Sequence, residues 1–361
     1  MSAAGNDLAA RLAARTLALV DIPSVSREER AIADYVAAEI PMSPTWRTDD
    51  TLWYDFHLGQ GRPLVVLAGH LDTVPPQDNL PGRIDGDVVW GLGASDMKGG
   101  LAVMIELAHQ WRRRARSSVS LEWPIDLCLL FFPREELPAE ENPLPALFDE
   151  IPALGAADLA ILLEPTDGAI HAGCLGNLQA RIVVEGRSAH SARPWLGVNA
   201  ITLALERLAP IADHPPREVD IEGLGFVEVL SVTEVHGGIA ANVIPDRVEA
   251  TVSYRYAPDR TAEEAEAELR RLAGDIEIVG NSPPGEVVRS PLVDRLLESG
   301  ATGIEPKQAW TNVADFTSRG VDAVNFGPGS TAVVHAADER VEVTRLVHAY
   351  ETLEQFLAGS V

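Results

Sequence analysis

At 361 residues the chain is long enough for two domains, and 46% hydrophobic with 23% charged residues is ordinary globular composition. A formal net charge of −25 and a sequence pI of about 4.7 argue against a nucleic-acid backbone or an anionic membrane as partner. Two cysteines, Cys128 and Cys174, with no Cys-x-x-Cys pair, rule out a thiolate zinc site and fit a reducing compartment better than a disulfide scaffold.

The first helix is predicted over residues 8–19, where Leu8, Leu12, Leu17 and Leu19 fall near helical spacing before Ile22-Pro23. Asp7, Arg11, Arg15 and Asp21 interrupt any secretion-signal core, and no apolar run reaches bilayer-spanning length, so the expected location is the cytoplasm. Residues 63–68 form a wholly apolar run (Leu64, Val65, Val66, Leu67) that reads as a buried strand. A helix follows over 97–114, with Asp96 placed to cap it. Two more buried strands are expected at 125–132, closed by Pro133, and at 159–163, closed by Glu164-Pro165. The turn-rich stretch 138–145 reads as a loop. Buried strands alternating with helices predict an α/β domain on a largely parallel sheet.

The pattern changes after Gly176. Leu178, Ala180, Ile182 and Val184 alternate as in a half-exposed strand. A helix over 199–208, strands over 226–234 and 246–256, and a helix over 262–272 complete a small α+β domain with one wet face. Near 281–285 the chain crosses back, and a buried strand at 323–326 leads into Gly327-Pro328-Gly329 and His335. The expected organisation is therefore a parallel-sheet domain from 1–177 and 284–361, interrupted by an inserted domain at 178–283.

Five polar sites end these runs: His70 with Asp72, Asp96, Glu135 with Glu136, Glu164, and His335. Taken singly each is ordinary: a loop histidine, a helix cap, a surface Glu pair. Jointly they follow four buried runs and one helix start, and open α/β sheets gather their sites outside the carboxyl ends of strands. Two imidazoles, three anionic oxygen ligands and two spare carboxylates suit a pair of Zn²⁺-like ions and a water-activating base. Hydrolysis is the leading reading.

The segments Gly69-His-Leu-Asp-Thr-Val-Pro, Gly91-Leu-Gly-Ala-Ser-Asp-Met-Lys-Gly-Gly, Arg134-Glu-Glu, Leu163-Glu-Pro-Thr, Ser188-Ala-His-Ser-Ala, Asn242-Val-Ile-Pro and Val334-His run in order over nearly the whole chain. On them the chain resembles the M20 metallopeptidases, the clan of zinc aminoacylases and carboxypeptidases. Within it, Gly173-Cys-Leu-Gly-Asn and the stretch 189–200 are most similar to the actinobacterial succinyl-diaminopimelate desuccinylases. The resemblance implies an inserted ferredoxin-like domain that serves as lid and dimerisation module. It also implies two Zn²⁺ (Co²⁺ and Mn²⁺ share such ligands). His70 and Glu164 would hold one ion, Glu136 and His335 the other, and Asp96 would bridge them. Asp72 would orient His70, and Glu135 would be the general base. His190 would reach the site of a partner subunit and stabilise the oxyanion. Asn242 and Arg255 would grip substrate, and Gly327 and Gly329 would offer backbone amides to the pocket.

The implied activity is removal of an N-acyl group from an amino acid, best matched by N-succinyl-LL-2,6-diaminopimelate in lysine and diaminopimelate synthesis. Another N-acyl-amino-acid deacylase, a carboxypeptidase or a dipeptidase stays open. So does a silent metal-binding protein on the same fold, against which the intact Glu135 stands. One segment departs from the resemblance: where these desuccinylases carry Asp-x-x-Arg-Phe, this chain has Thr311-Asn312-Val-Ala-Asp315-Phe316, a charge reversal near the expected substrate path.

Overall fold

The computed structural model describes residues 3–56, 61–115 and 124–359. The chain divides into two compact units, Met1–Ala172 with Val288–Glu305 and Asp315–Val361, and Gly173–Val287 with Pro306–Ala314. The segment Pro306–Ala314 thus clusters with the second unit, whereas the sequence alone groups it with the first.

The first unit is built on an eight-stranded sheet in the order Trp46–Arg47, Leu52–Phe56, Asp126–Phe132, Leu64–His70, Leu159–Leu162, Ala323–Asn325, Ile170–Cys174, Ile304–Lys307. The last two strands carry the chain between the units. The four strands from Asp126–Phe132 to Ala323–Asn325 are mutually parallel, with Leu67 opposite both Leu129 and Ile161. Every residue of Leu64–His70 and Asp126–Phe132 is buried, because strands without a polar face must be covered on both sides. Antiparallel strands flank the parallel centre: Leu52–Phe56 beside Asp126–Phe132, and Ile170–Cys174 beside Ala323–Asn325. Helices Ala3–Val20, Gly99–Ala115 and Val343–Ala358 pack on one another.

Chain order places the site. From Leu64–His70 the next strand of the parallel set lies on one side and the following one on the other. The order reverses at that strand, and the loops leaving neighbouring carboxyl ends part there to leave a crevice. His70 ends the central strand, Glu135 follows one neighbour and Glu164 the other.

The second unit holds a five-stranded antiparallel sheet in the order Arg217–Ile221, Leu224–Gly237, Arg247–Tyr256, Gly176–Glu185, Glu277–Ser282. Burial alternates along Gly176–Glu185 and Arg247–Tyr256, and the inward residues pack with Ala204, Leu208, Ala265 and Leu269 of the helices Ala200–Ala212 and Ala262–Ala273. Asn199 Oδ1 accepts the Ile201 N–H at 2.9 Å to start the first helix, and Thr261 with Glu264 forms a capping box on the second.

Several expectations shift. The stretch 138–145 is no plain loop: it holds a short 3₁₀ turn, Ala139–Glu141, and opens the helix Leu144–Glu150. The helix after Asp96 begins at Gly99, so Asp96 stands ahead of the cap position instead of in it. Among the described residues no helix is long and apolar enough to cross a membrane.

Candidate metal centre

The strand Leu64–His70 delivers His70 into the crevice, buried, with its two ring nitrogens in different surroundings. Nδ1 lies 3.1 Å from the Asp72 backbone oxygen and 3.5 Å from Asp72 Oδ1. Nε2 lies 3.1 Å from Asp96 Oδ1 and 3.7 Å from Glu164 Oε1. On the other side of Asp96, Oδ2 lies 3.7 Å from His335 Nε2, which is also 3.0 Å from Glu136 Oε1. One carboxylate therefore turns one oxygen to each of two His–Glu pairs. His70, Asp96 and Glu164 form one group of donor atoms within 4.8 Å of one another; Asp96, Glu136 and His335 form a second.

These groups fit a pair of divalent ions. Donors sharing a tetrahedral zinc at about 2.0–2.2 Å are roughly 3.3–3.6 Å apart, and the four approaches above lie around that value. The charge balance agrees. Burial opposes a charged His70, yet bonds to Asp72 and Asp96 and the charge of Glu164 hold its pKa well above the ordinary range. The bond to Glu136 and the charge of Asp96 raise His335 to about 9. The pocket draws positive charge onto both imidazoles, and a divalent cation would meet the same demand when it displaces their protons.

Glu135 sits beside this cluster, within the same reach of His70 and Glu136. Burial and the charges of Glu164, Glu136 and Asp96 push its carboxyl well above the usual range, with His70 opposing them. The turn bearing both glutamates is held by Asp72, whose Oδ1 accepts the Glu135 N–H at 3.0 Å and whose Oδ2 accepts the Glu136 N–H at 3.1 Å. Ser26 Oγ donates to the same carboxylate at 2.8 Å. Asp72 thus does more than the sequence suggests, since it fixes the turn of Glu135 and Glu136 as well as one imidazole. Arg134 and His335, next to or within the candidate donor groups, have left-handed backbones at φ 63° and 57°. Such conformations in residues with a Cβ recur where surroundings over-determine a functional loop.

The glycines after Ala323–Asn325 serve packing. A Cβ on Gly327 would fall 2.4 Å from Leu163 O and 2.5 Å from Glu164 O, so only glycine lets the chain lie against the Glu164 backbone. The Gly327 N–H is given to Thr166 Oγ1 at 3.1 Å, not to the pocket as the sequence reading has it. A Cβ on Gly329 would meet Ser95 O at 2.3 Å, on the Asp96 turn. Asp315 Oδ2 accepts from Asn142 Nδ2 at 2.8 Å.

His190, Asn242 and Arg255 belong to the second unit. His190 pairs with Val243 in a two-stranded ribbon, and the Asn242 backbone oxygen accepts the Ser191 N–H at 2.9 Å. His190 is exposed and its Nδ1 accepts the Ala192 N–H at 3.1 Å. The proton of the neutral ring is therefore on Nε2, which is left as an outward donor. Arg255 is half-buried, and burial lowers its pKa. Its cross-strand neighbour Asn177 has a buried Oδ1 without a hydrogen-bond partner. Ser26 and Glu339 escaped the sequence reading, each a single polar residue in a stretch with no distinguishing spacing, and Asn177 entered it only as the end of the segment Gly173-Cys-Leu-Gly-Asn, with no role of its own.

The family model "Peptidase family M20/M25/M40" matches residues 66–359. The chain belongs to this family. A succinyl-diaminopimelate desuccinylase of Corynebacterium glutamicum is 37% identical over 360 residues, covering 95% of each chain. A Mycobacterium tuberculosis protein, provisionally named for the same activity, is 38% identical over 355 residues, covering 95% of this chain and 97% of its own. Among solved structures, an aminopeptidase of Bacillus cereus superposes with a TM-score of 0.75 at 18% identity, covering 97% of this chain and 98% of that one. M20 enzymes are metal-dependent hydrolases, and the two donor groups around Asp96 are this chain's candidates for a dinuclear site.

Proposed function

We propose that this chain is a di-zinc amidohydrolase that removes the succinyl group from N-succinyl-LL-2,6-diaminopimelate in the cytoplasm, and that it works as a homodimer. The observation that carries the chemistry is Asp96, one oxygen toward His70 and Glu164 and the other toward His335 and Glu136, with Glu135 alongside. The choice of acyl group leans on the desuccinylase relatives.

His70, Glu164 and Asp96 would hold one ion, and Asp96, Glu136 and His335 the second. Ions held there would act as Lewis acids toward the amide carbonyl and make water more acidic. Glu135 is the base: it takes a proton from the attacking water and hands it to the leaving amine, so water and amide give succinate and free amine. His190 donates its Nε2–H to the carbonyl oxygen as negative charge builds there. Arg255, with Asn242, grips a substrate carboxylate; a half-buried guanidinium suits an anion that reaches it.

The expected result with protein stripped of metal and restored with Zn²⁺ is turnover of the succinyl substrate only after restoration. N-acetylated analogues should fall at least about tenfold in kcat/KM, because a charge-assisted contact of about 1.5–3 kcal/mol is lost. Preference for acetyl or dipeptide substrates would reassign the substrate. A protein that takes up two ions and turns over none of these substrates would be a silent binder.

The homodimer reading is supported by exposed apolar side chains on the second unit, among them Trp195 at 74% and Ile239 at 82% exposure. If His190 acts on a partner's site, inactive Glu135→Ala and His190→Ala proteins should complement when mixed under subunit exchange. Half the dimers would be mixed, with one competent site in two, restoring about a quarter of wild-type activity. No recovery despite proven exchange would place His190 outside the partner's chemistry.

A further inference from the structure

Glu339 is 2% exposed and stands four residues beyond His335. Its Oε1 accepts the backbone N–H groups of Ser95 and Asp96, both at 3.0 Å, and its Oε2 accepts that of Gly93 at 2.9 Å. The neighbouring backbone adds to this clamp. Gly91 N–H donates to Glu339 O at 3.0 Å, and Ser95 Oγ donates to Arg340 O at 3.0 Å. Strand pairing of Arg340–Glu342 with Val88–Trp90 carries the two segments alongside each other.

We propose that Glu339 is a positioning residue of the metal centre, locking the turn that carries Asp96 to the loop that carries His335 so that Asp96 faces both His–Glu pairs at once. The inference rests on the metal centre proposed above. Three backbone donors converge on one carboxylate because the turn 94–98 is wound irregularly, with Asp96 at φ −122° and ψ 94° outside helical geometry. An ordinary helix start would spend those N–H groups differently and turn the Asp96 carboxylate elsewhere. A buried N–H without an acceptor is costly, so the turn keeps this winding only while the carboxylate is there. The loop end is pinned as well: Gln77 Nε2 donates to His335 O at 2.8 Å and Asn79 Nδ2 to Ala336 O at 3.3 Å. Displacing Glu339 therefore releases the Asp96 turn from a loop that stays held, and Asp96 loses its register with His335.

Glu339→Gln keeps the volume but sets an NH₂ group against at least one of the three amides. Glu339→Asp keeps the charge and shortens the reach by one methylene. The measurements are zinc affinity by chelator competition, the visible spectrum of the Co²⁺-loaded protein, and kcat and KM separately. Wild-type should take up two ions. Glu339→Gln should hold its weaker ion about 10–100-fold less tightly, shift the Co²⁺ bands and lose kcat by a similar factor with KM within about twofold, as outer partners of metal ligands do. Glu339→Asp should recover part of each loss. Wild-type zinc affinity and an unchanged Co²⁺ spectrum in Glu339→Gln would overturn the proposal even if the variant melts earlier. If Glu339→Gln does not fold, the same two readings on Glu339→Asp decide. If neither folds, Glu339 serves stability alone and the proposal falls. Fewer than two ions in wild-type removes the centre itself, a result distinct from failure of Glu339.

Discussion

Asp96→Ala is expected to fold, to lose tight binding of both metal ions, and to lose turnover by more than about a thousandfold. Without Asp96, each side keeps one histidine and one glutamate, short of the three protein ligands that a catalytic zinc site uses. Removing several kcal/mol of charge stabilisation then costs three or more powers of ten in rate. Folding survives because Asp96 is not the cap of Gly99–Ala115 and stands outside the strands. Its loss should change the stability of the metal-stripped protein by about 1–2 kcal/mol. The contrast lies in the response to zinc. A ligand that binds only the folded state raises its melting temperature, so wild-type should gain stability on Zn²⁺ addition and the variant should not. Retention of two tightly bound ions by Asp96→Ala would end the bridging assignment.

How far the sequence reaches follows from the same physics. The buried strands were legible because a strand covered on both faces has to be apolar throughout, as in Leu64–Leu67 and Leu127–Phe132. A polar group directly after such a run needs a reason, and His70, Glu135 and Glu164 stood out for that. Legibility failed where the signal is relational. The irregular winding that takes Asp96 out of its capping role has its N–H groups met by Glu339, 243 residues from Asp96. Asp72 looked like a partner for His70, and only the fold brings its carboxylate under the N–H groups of Glu135 and Glu136. The edge strands Arg217–Ile221 and Glu277–Ser282 carry too few apolar residues to announce themselves. The Gly327 amide looked available because nothing in the sequence ties it to Thr166.

Glu135→Gln should leave the metal ions in place and still reduce kcat by about 10²–10⁴, the usual worth of a positioned acid–base group. Glutamine preserves the side-chain volume, and the backbone N–H that Asp72 accepts is untouched, so the turn should persist. What disappears is the ability to take a proton from water and return it to the amine. The pH profile carries the same information. Burial and three neighbouring carboxylates push Glu135 up, while bound cations would pull it down. In the proposed role its ionised form is the working one, so kcat/KM should fall as pH drops below its pKa, and the variant should lack that acid limb. Glu135 also lies within ligand reach of His70 and Glu136, which makes it a rival metal ligand on geometry alone. Metal content separates the two roles: a Glu135→Gln protein with two zinc ions and almost no turnover marks a base, and one that has lost an ion marks a ligand.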